Sequence, residues 1–135
     1  MDKSFLQKMT EAVQAEESLS ECRCIKANAG DAIPFPVTKT LVCFGMEEAD
    51  RLDFFLGYDE GLFGAKKLCV SVLCDEKRGG EACEAAAKKV CQTILTADSD
   101  RMITSVSAEK CMYDKINFAY KVIMRFALRE QLLPI

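Results

Sequence analysis

The sequence predicts an α+β fold. The expected architecture is an antiparallel or mixed sheet of about four to five strands. An N-terminal helix and a second helix pack on one face, and a long β-hairpin ends the chain. Three observations lead there. Two segments, 3–20 and 81–96, repeat apolar residues every three or four positions, the period of an amphipathic helix. Two others, 66–75 and 118–128, alternate apolar and polar residues, the period of a strand. The 135 residues, half of them apolar and 29% charged, suit one globular domain spanning 1–135 rather than a disordered chain.

The elements follow in order. In 3–20, Phe5, Leu6, Met9, Val13 and, less strictly, Leu19 share a face, and Ser4 stands where an N-cap belongs. Residues 22–27 alternate weakly and suit a short edge strand. Asn28, Gly30, Asp31, Pro34 and Pro36 make 28–36 a loop, because proline breaks both ladder and helix. Val37 to Phe44 reads as a strand. Residues 45–65 look irregular. They hold four glycines (45, 57, 61, 64), a charged run Glu47-Glu48-Ala49-Asp50-Arg51 and an apolar patch Phe54-Phe55-Leu56. A long excursion with one short strand near 53–57 is expected there, and such loops are usually functional or mobile.

Segment 66–75 is a strong strand. Leu68, Val70, Val72 and Cys74 share one face, and Lys67, Cys69, Ser71 and Leu73 the other. Asp75 to Gly80 is a charged turn without the spacing of a phosphate-binding loop. In the second helix Cys83, Ala87, Val90, Cys91, Ile94 and Leu95 line one face. Ala97 to Asp100 is a turn. Segment 102–112 alternates loosely, with Met102, Val106, Ala108 and Met112 on one side. Residues 113–117 read as a hairpin turn. In the last strand Phe118, Tyr120, Val122, Met124, Phe126 and Leu128 point one way. Its length, about 36 Å at about 3.3 Å per residue, exceeds what one small domain covers, so part of the hairpin should project. Val70, Val72, Val90, Ile94, Val122, Met124 and Phe126 are the expected core.

Composition narrows the chemistry. The chain has no histidine, which removes the commonest general base and metal ligand, and with it Ser-His-Asp and Cys-His catalysis within one chain. Net charge is −3, which disfavours nucleic-acid binding over a broad basic surface. No run of 18 apolar residues is present, so no membrane span is expected, and Met1-Asp2-Lys3-Ser4 lacks the pattern of a signal peptide. Eight cysteines stand at 22, 24, 43, 69, 74, 83, 91 and 111. Without paired short spacings or histidine they do not form a zinc signature, and they read as reduced packing residues. No metal, cofactor or catalytic residue is assigned. If the chain were an enzyme, Cys74 at a strand end or Cys111 before the hairpin turn would be its nucleophile. Cys74 is the better choice because Lys77 and Arg78 lie near it.

One stretch carries a likeness. A strand (66–74) is followed by a Gly79-Gly80 turn and the helix through Cys91. Then come Ile103-Thr104-Ser105-Val106-Ser107, Cys111-Met112-Tyr113-Asp114-Lys115 and a strand of alternating aromatics and aliphatics. This order resembles the tail terminator and tail completion proteins of long-tailed bacteriophages, and the collar proteins of phage-tail-like particles. The resemblance covers about residues 37–129, although the cysteine content is higher than that group would lead one to expect. It implies a non-enzymatic structural protein. That protein would form a ring, usually of six subunits, that caps the tail tube and joins it to the neck, head or collar. The implied partners are further copies of itself, the tail tube protein, and a sheath or head-completion protein. Nucleic-acid sequence recognition and membranes are not implied. The implied location is the bacterial cytoplasm during assembly and then the particle. The alternative reading is a ligand- or peptide-binding α+β adaptor.

Two segments are the expected contacts between subunits or with the tube. The first is 45–64, with Phe54, Phe55 and Leu56 as anchors and Arg51 among the charges at their rim. The second is the hairpin tip, with Tyr113, Asp114, Lys115 and Asn117. Asp114 and Lys115 would set register more than affinity.

Overall fold

The computed structural model describes residues 4–26, 40–54 and 62–133; for 48–54, 62–65 and 129–133 it describes the backbone alone. The chain is α+β, with two helices and a six-stranded mixed sheet. Helix α1 is Phe5–Ala15, followed by a 3-10 turn at Glu17–Leu19. The strands are β1 (Arg23–Lys26), β2 (Leu41–Phe54) and β3 (Leu62–Asp75), then β4 (Ile103–Ala108), β5 (Met112–Asp114) and β6 (Ala119–Leu133). Helix α2, Gly79–Ala97, separates β3 from β4.

The sheet order is β1-β2-β3-β6-β4, with β5 also pairing with β6. Only β1 with β2 is parallel; the other pairs are antiparallel. β4 and β5 lie in succession along β6, so 103–114 and 119–128 form the expected long hairpin. β1 is the expected edge strand.

Helix α1 starts where its cap allows. The Ser4 hydroxyl accepts the Gln7 N–H at 3.2 Å, and Met9 and Val13 are buried. The helix ends at Ala15, earlier than the periodicity suggests. Glu16 turns extended and its carboxylate accepts from Ser18 N at 3.4 Å and Ser18 Oγ at 3.0 Å, which starts the 3-10 turn. That turn still buries Leu19.

Helix α2 buries Cys83, Ala87, Val90 and Ile94, a stripe of four and three. It begins two residues earlier than expected. Gly79 has φ +83°, a conformation that costs glycine nothing and side-chain-bearing residues about 1–2 kcal/mol. Leu95 departs from the expected face. It lies about 100° round the helix from Ile94 and is 45% exposed. At the other end the Asp98 carboxylate accepts the N–H of Met102 and of Ile103, each at 2.9 Å, and closes the turn into β4.

The main core lies between the helices and one sheet face. All seven expected core residues are in it, none more than 5% exposed. The opposite face has its own buried group, Leu41, Cys43, Leu73 and Ala119. On that face Arg125 joins two carboxylates, Glu47 at 3.1 Å and Glu109 at 3.0 Å. These bonds raise its pKa further.

Three expectations change. The segment 45–54 is not irregular: it continues β2, paired with β3 as far as Phe54↔Leu62. A register shift between Glu48 and Leu52 takes up the charged run as a bulge. The low strand propensity of Glu47 to Asp50 is overridden because β3 supplies a hydrogen-bonding template beside it. Residues 55–61 and the loop 28–36 lie outside the described residues. Second, segment 102–112 does not keep to one side: Val106 and Ala108 face Phe126 and Met124 on the helix side of β6, whereas Met112 faces Lys121 on the other, and Val106 (39%) and Met112 (57%) are exposed. Third, Phe118 precedes β6 and closes the hairpin turn at φ +50°, so it does not share the inward face of Val122.

None of the eight cysteines is in a disulfide. No helix among the described residues is long and apolar enough to cross a membrane.

Candidate functional site

The hairpin tip is built on one carboxylate. Asp114 Oδ1 accepts the backbone N–H of Ile116 at 2.9 Å and of Asn117 at 3.2 Å, and Oδ2 accepts from Asn117 Nδ2 at 2.6 Å. This is an aspartate-closed turn. Partial burial pushes the Asp114 carboxyl up, but the bonds from Asn117 and Ile116 outweigh it and hold the group below its usual 3.8. The tip is also tied down from the side. Tyr113 donates its hydroxyl to Glu76 Oε2 at 2.6 Å, and its ring meets Tyr120 edge-on at 5.4 Å. The bond to the Glu76 carboxylate pushes the Tyr113 phenol up to about 12.

This frame presents apolar side chains to solvent. Ile116 is 84% exposed, Met112 57%, Phe118 53% and Tyr113 40%. Four large apolar side chains are thus exposed within seven residues, on a turn pinned by its own hydrogen bonds. Phe118 adds a second sign. Its left-handed backbone costs roughly 1–2 kcal/mol for a residue with a Cβ, and such strain concentrates at functional positions.

The expected site residues divide accordingly. Tyr113, Asp114, Lys115 and Asn117 are together at the tip. Asp114 and Asn117 spend their polar groups on closing the turn, and Lys115 is exposed. Met112 and Phe118 flank the expected contact segment 113–117, and Ile116, within it, was not singled out. A signal for them exists in the sequence, since an isoleucine between turn formers has no core to face. Arg51 lies in the bulge of β2 and Phe54 on its paired backbone, whereas Phe55 and Leu56 lie outside the described residues. Among the described residues, the far end of β2 at Phe54 and the hairpin tip are not brought together. Ala119 faces Asp75 at one end of β6 and Leu133 faces Leu62 at the other, so they are about 45 Å apart at about 3.3 Å per residue.

A second cluster surrounds Cys74. Its sulfur is 3.5 Å from Thr40 Oγ1, and Arg78 Nη1 donates to that hydroxyl at 3.1 Å. Arg78, near Cys74 in sequence, is thus beside it in space and bonded to the same hydroxyl. Cys111 Sγ lies 3.8 Å from Gly80 O, against the first turn of α2. Among the described residues no group of three or more His, Cys, Asp or Glu is placed to hold a metal ion.

No protein-family model matches the chain, and no curated protein matches it in sequence.

Proposed function

We propose that this chain is a structural assembly subunit that self-associates into a ring. The ring would cap the tube of a phage tail or tail-like particle and join it to the neck or collar. The observation that carries self-association is the hairpin tip, where Met112, Ile116 and Phe118 are held exposed on a hydrogen-bonded turn. A second copy of the chain gives such a patch somewhere to be buried, and a closed ring satisfies every copy equally. The length of the sheet supports the same reading. Strands of 14 and 15 residues run about 46–50 Å, whereas the 19 residues of α2 cover about 28 Å. The assignment to a tail rests on the order of strand, Gly-Gly turn, helix and hairpin described above. The expected partners are further copies of the chain, the tail tube protein, and a sheath or head-completion protein.

The test is solution mass followed by microscopy. Analytical ultracentrifugation should show a closed oligomer, or one that forms on addition of tail tubes, and electron micrographs should show it at a tube end. A monomer at all concentrations that leaves tube ends bare would overturn the reading. It would favour instead a ligand- or peptide-binding adaptor. For that alternative the structure offers a cavity of about 370 Å³ between the 3-10 turn and α2.

A further inference from the structure

The sheet has two margins, and they are finished differently. β1, at one margin, is four residues long and carries an exposed charge at each end, Arg23 and Lys26, which is how an edge is kept from pairing. β4, at the other, is Ile-Thr-Ser-Val-Ser-Ala, six residues without a charge or a proline. Every residue from Thr104 to Lys110 is exposed, so this edge is open to solvent. Val106 is on the helix side, opposite the buried Phe126, and is still 39% exposed, because α2 packs chiefly over β3 and β6.

The ladder fixes which backbone groups of β4 are free. Glu109 N–H donates to Ile123 O at 2.9 Å, so these two residues form a hydrogen-bonded pair. Bonded and non-bonded pairs alternate along an antiparallel ladder, which makes Ser107↔Arg125 the next bonded pair. Val106 and Ala108 therefore turn their N–H and C=O away from β6. At the start of the strand Asp98 already holds the N–H groups of Met102 and Ile103.

The charges that flank β4 identify what pairs with it. Asp100 and Arg101 precede the strand, and Glu109 and Lys110 follow it. Laid antiparallel on itself about Ser105, this stretch sets Arg101 opposite Glu109 and Asp100 opposite Lys110, and each contact occurs twice. Moving the centre to Val106 sets no charge opposite its complement. Asp100, Arg101 and Lys110 are exposed, and none is in an ion pair among the described residues. Glu109 gives Oε2 to Arg125 at 3.0 Å and keeps Oε1. The chain turns at Arg101 (φ +53°), so the end contacts rest on the reach of the Arg101 and Lys110 side chains rather than on ladder geometry.

We propose that β4 pairs edge to edge with β4 of a second copy of the chain, antiparallel about a two-fold axis at Ser105. The Val106 and Ala108 N–H groups supply the new ladder, opposite Thr104 and Met102 of the second copy. The charge contacts at its ends fix the register. The contact is isologous, the same patch on both copies, and it rests neither on the hairpin tip nor on the ring.

Sedimentation velocity of the full chain, over a concentration series at low and high salt, tests it. Wild type should show a monomer–dimer equilibrium that weakens with salt. Lys110→Asp sets like charges opposite at both ends and should weaken the dimer several-fold, and Asp100→Lys should do the same. Asp100→Lys combined with Lys110→Asp should restore wild-type association. Val106→Pro removes an outward N–H that the monomer's own ladder does not use, and should abolish the dimer while the chain stays folded. Ile116→Ser should leave this dimer intact, so loss of tube capping with the dimer retained counts against the proposed ring and not against this contact. A wild type that is monomeric at all concentrations overturns the proposal. So does a dimer that survives Val106→Pro, or a double variant that associates no better than the single ones. If Val106→Pro does not fold, the charge exchange decides it.

Discussion

Ile116→Ser separates folding from assembly. The side chain is 84% exposed, so a monomer has almost no buried area to lose there. The backbone N–H of residue 116 still reaches Asp114 Oδ1, and the turn is retained. Monomer stability should change by no more than about 0.5 kcal/mol, the usual range for surface substitutions. Burying an isoleucine is worth about 1.5–3 kcal/mol. With 84% of the side chain available, a subunit contact should lose about 1.3–2.5 kcal/mol, roughly ten- to seventy-fold in dissociation constant. Adding Met112→Ser should weaken association further by a smaller step, because less of that side chain is exposed. Sedimentation velocity over a concentration series reads the association, and urea unfolding reads the monomer. Wild-type association in the double variant would remove the hairpin tip from the interface. A loss of more than about 1 kcal/mol in the monomer would show that the side chain supports the fold instead.

Other substitutions test the interior and the caps. Val122→Asp puts an unpaired charge at a site 5% exposed, in contact with the helix-side core, and should destabilise by about 4 kcal/mol or more in chemical denaturation. Ser4→Ala removes the acceptor for the Gln7 N–H and should cost about 1 kcal/mol in the same assay. Tyr113→Phe should remove a late-titrating phenol from a spectrophotometric titration. In the folded chain that phenol is raised towards 12, so its contribution to stability is present below about pH 10 and lost as the pH rises through the folded value. A titration unchanged by Tyr113→Phe would refute the bond to Glu76.

What the sequence determined by itself is what neighbours along the chain decide. The serine cap at position 4, the stripe Cys83, Ala87, Val90, Ile94 and the alternation of Leu68, Val70, Val72 and Cys74 depend on spacings of two, three and four residues. Each element follows from its own period. The hairpin turn was legible for the same reason, since Asp114 closes it with residues two and three further on. Which side chains the turn exposes was not legible, because that depends on where the sheet ends. Only the tertiary structure decided the extent of β2. Glu47 to Phe54 has weak strand preference and takes its conformation from β3 across a bulge. Only the tertiary structure gave Phe118 its left-handed backbone at the start of β6. It also decided the surroundings of Cys74. Thr40 lies 34 residues from Cys74 and 38 from Arg78, and no local period relates them. Hydrogen bonds at that separation exist only after the sheet and α2 have packed, since closure of the intervening chain must be offset by the buried core.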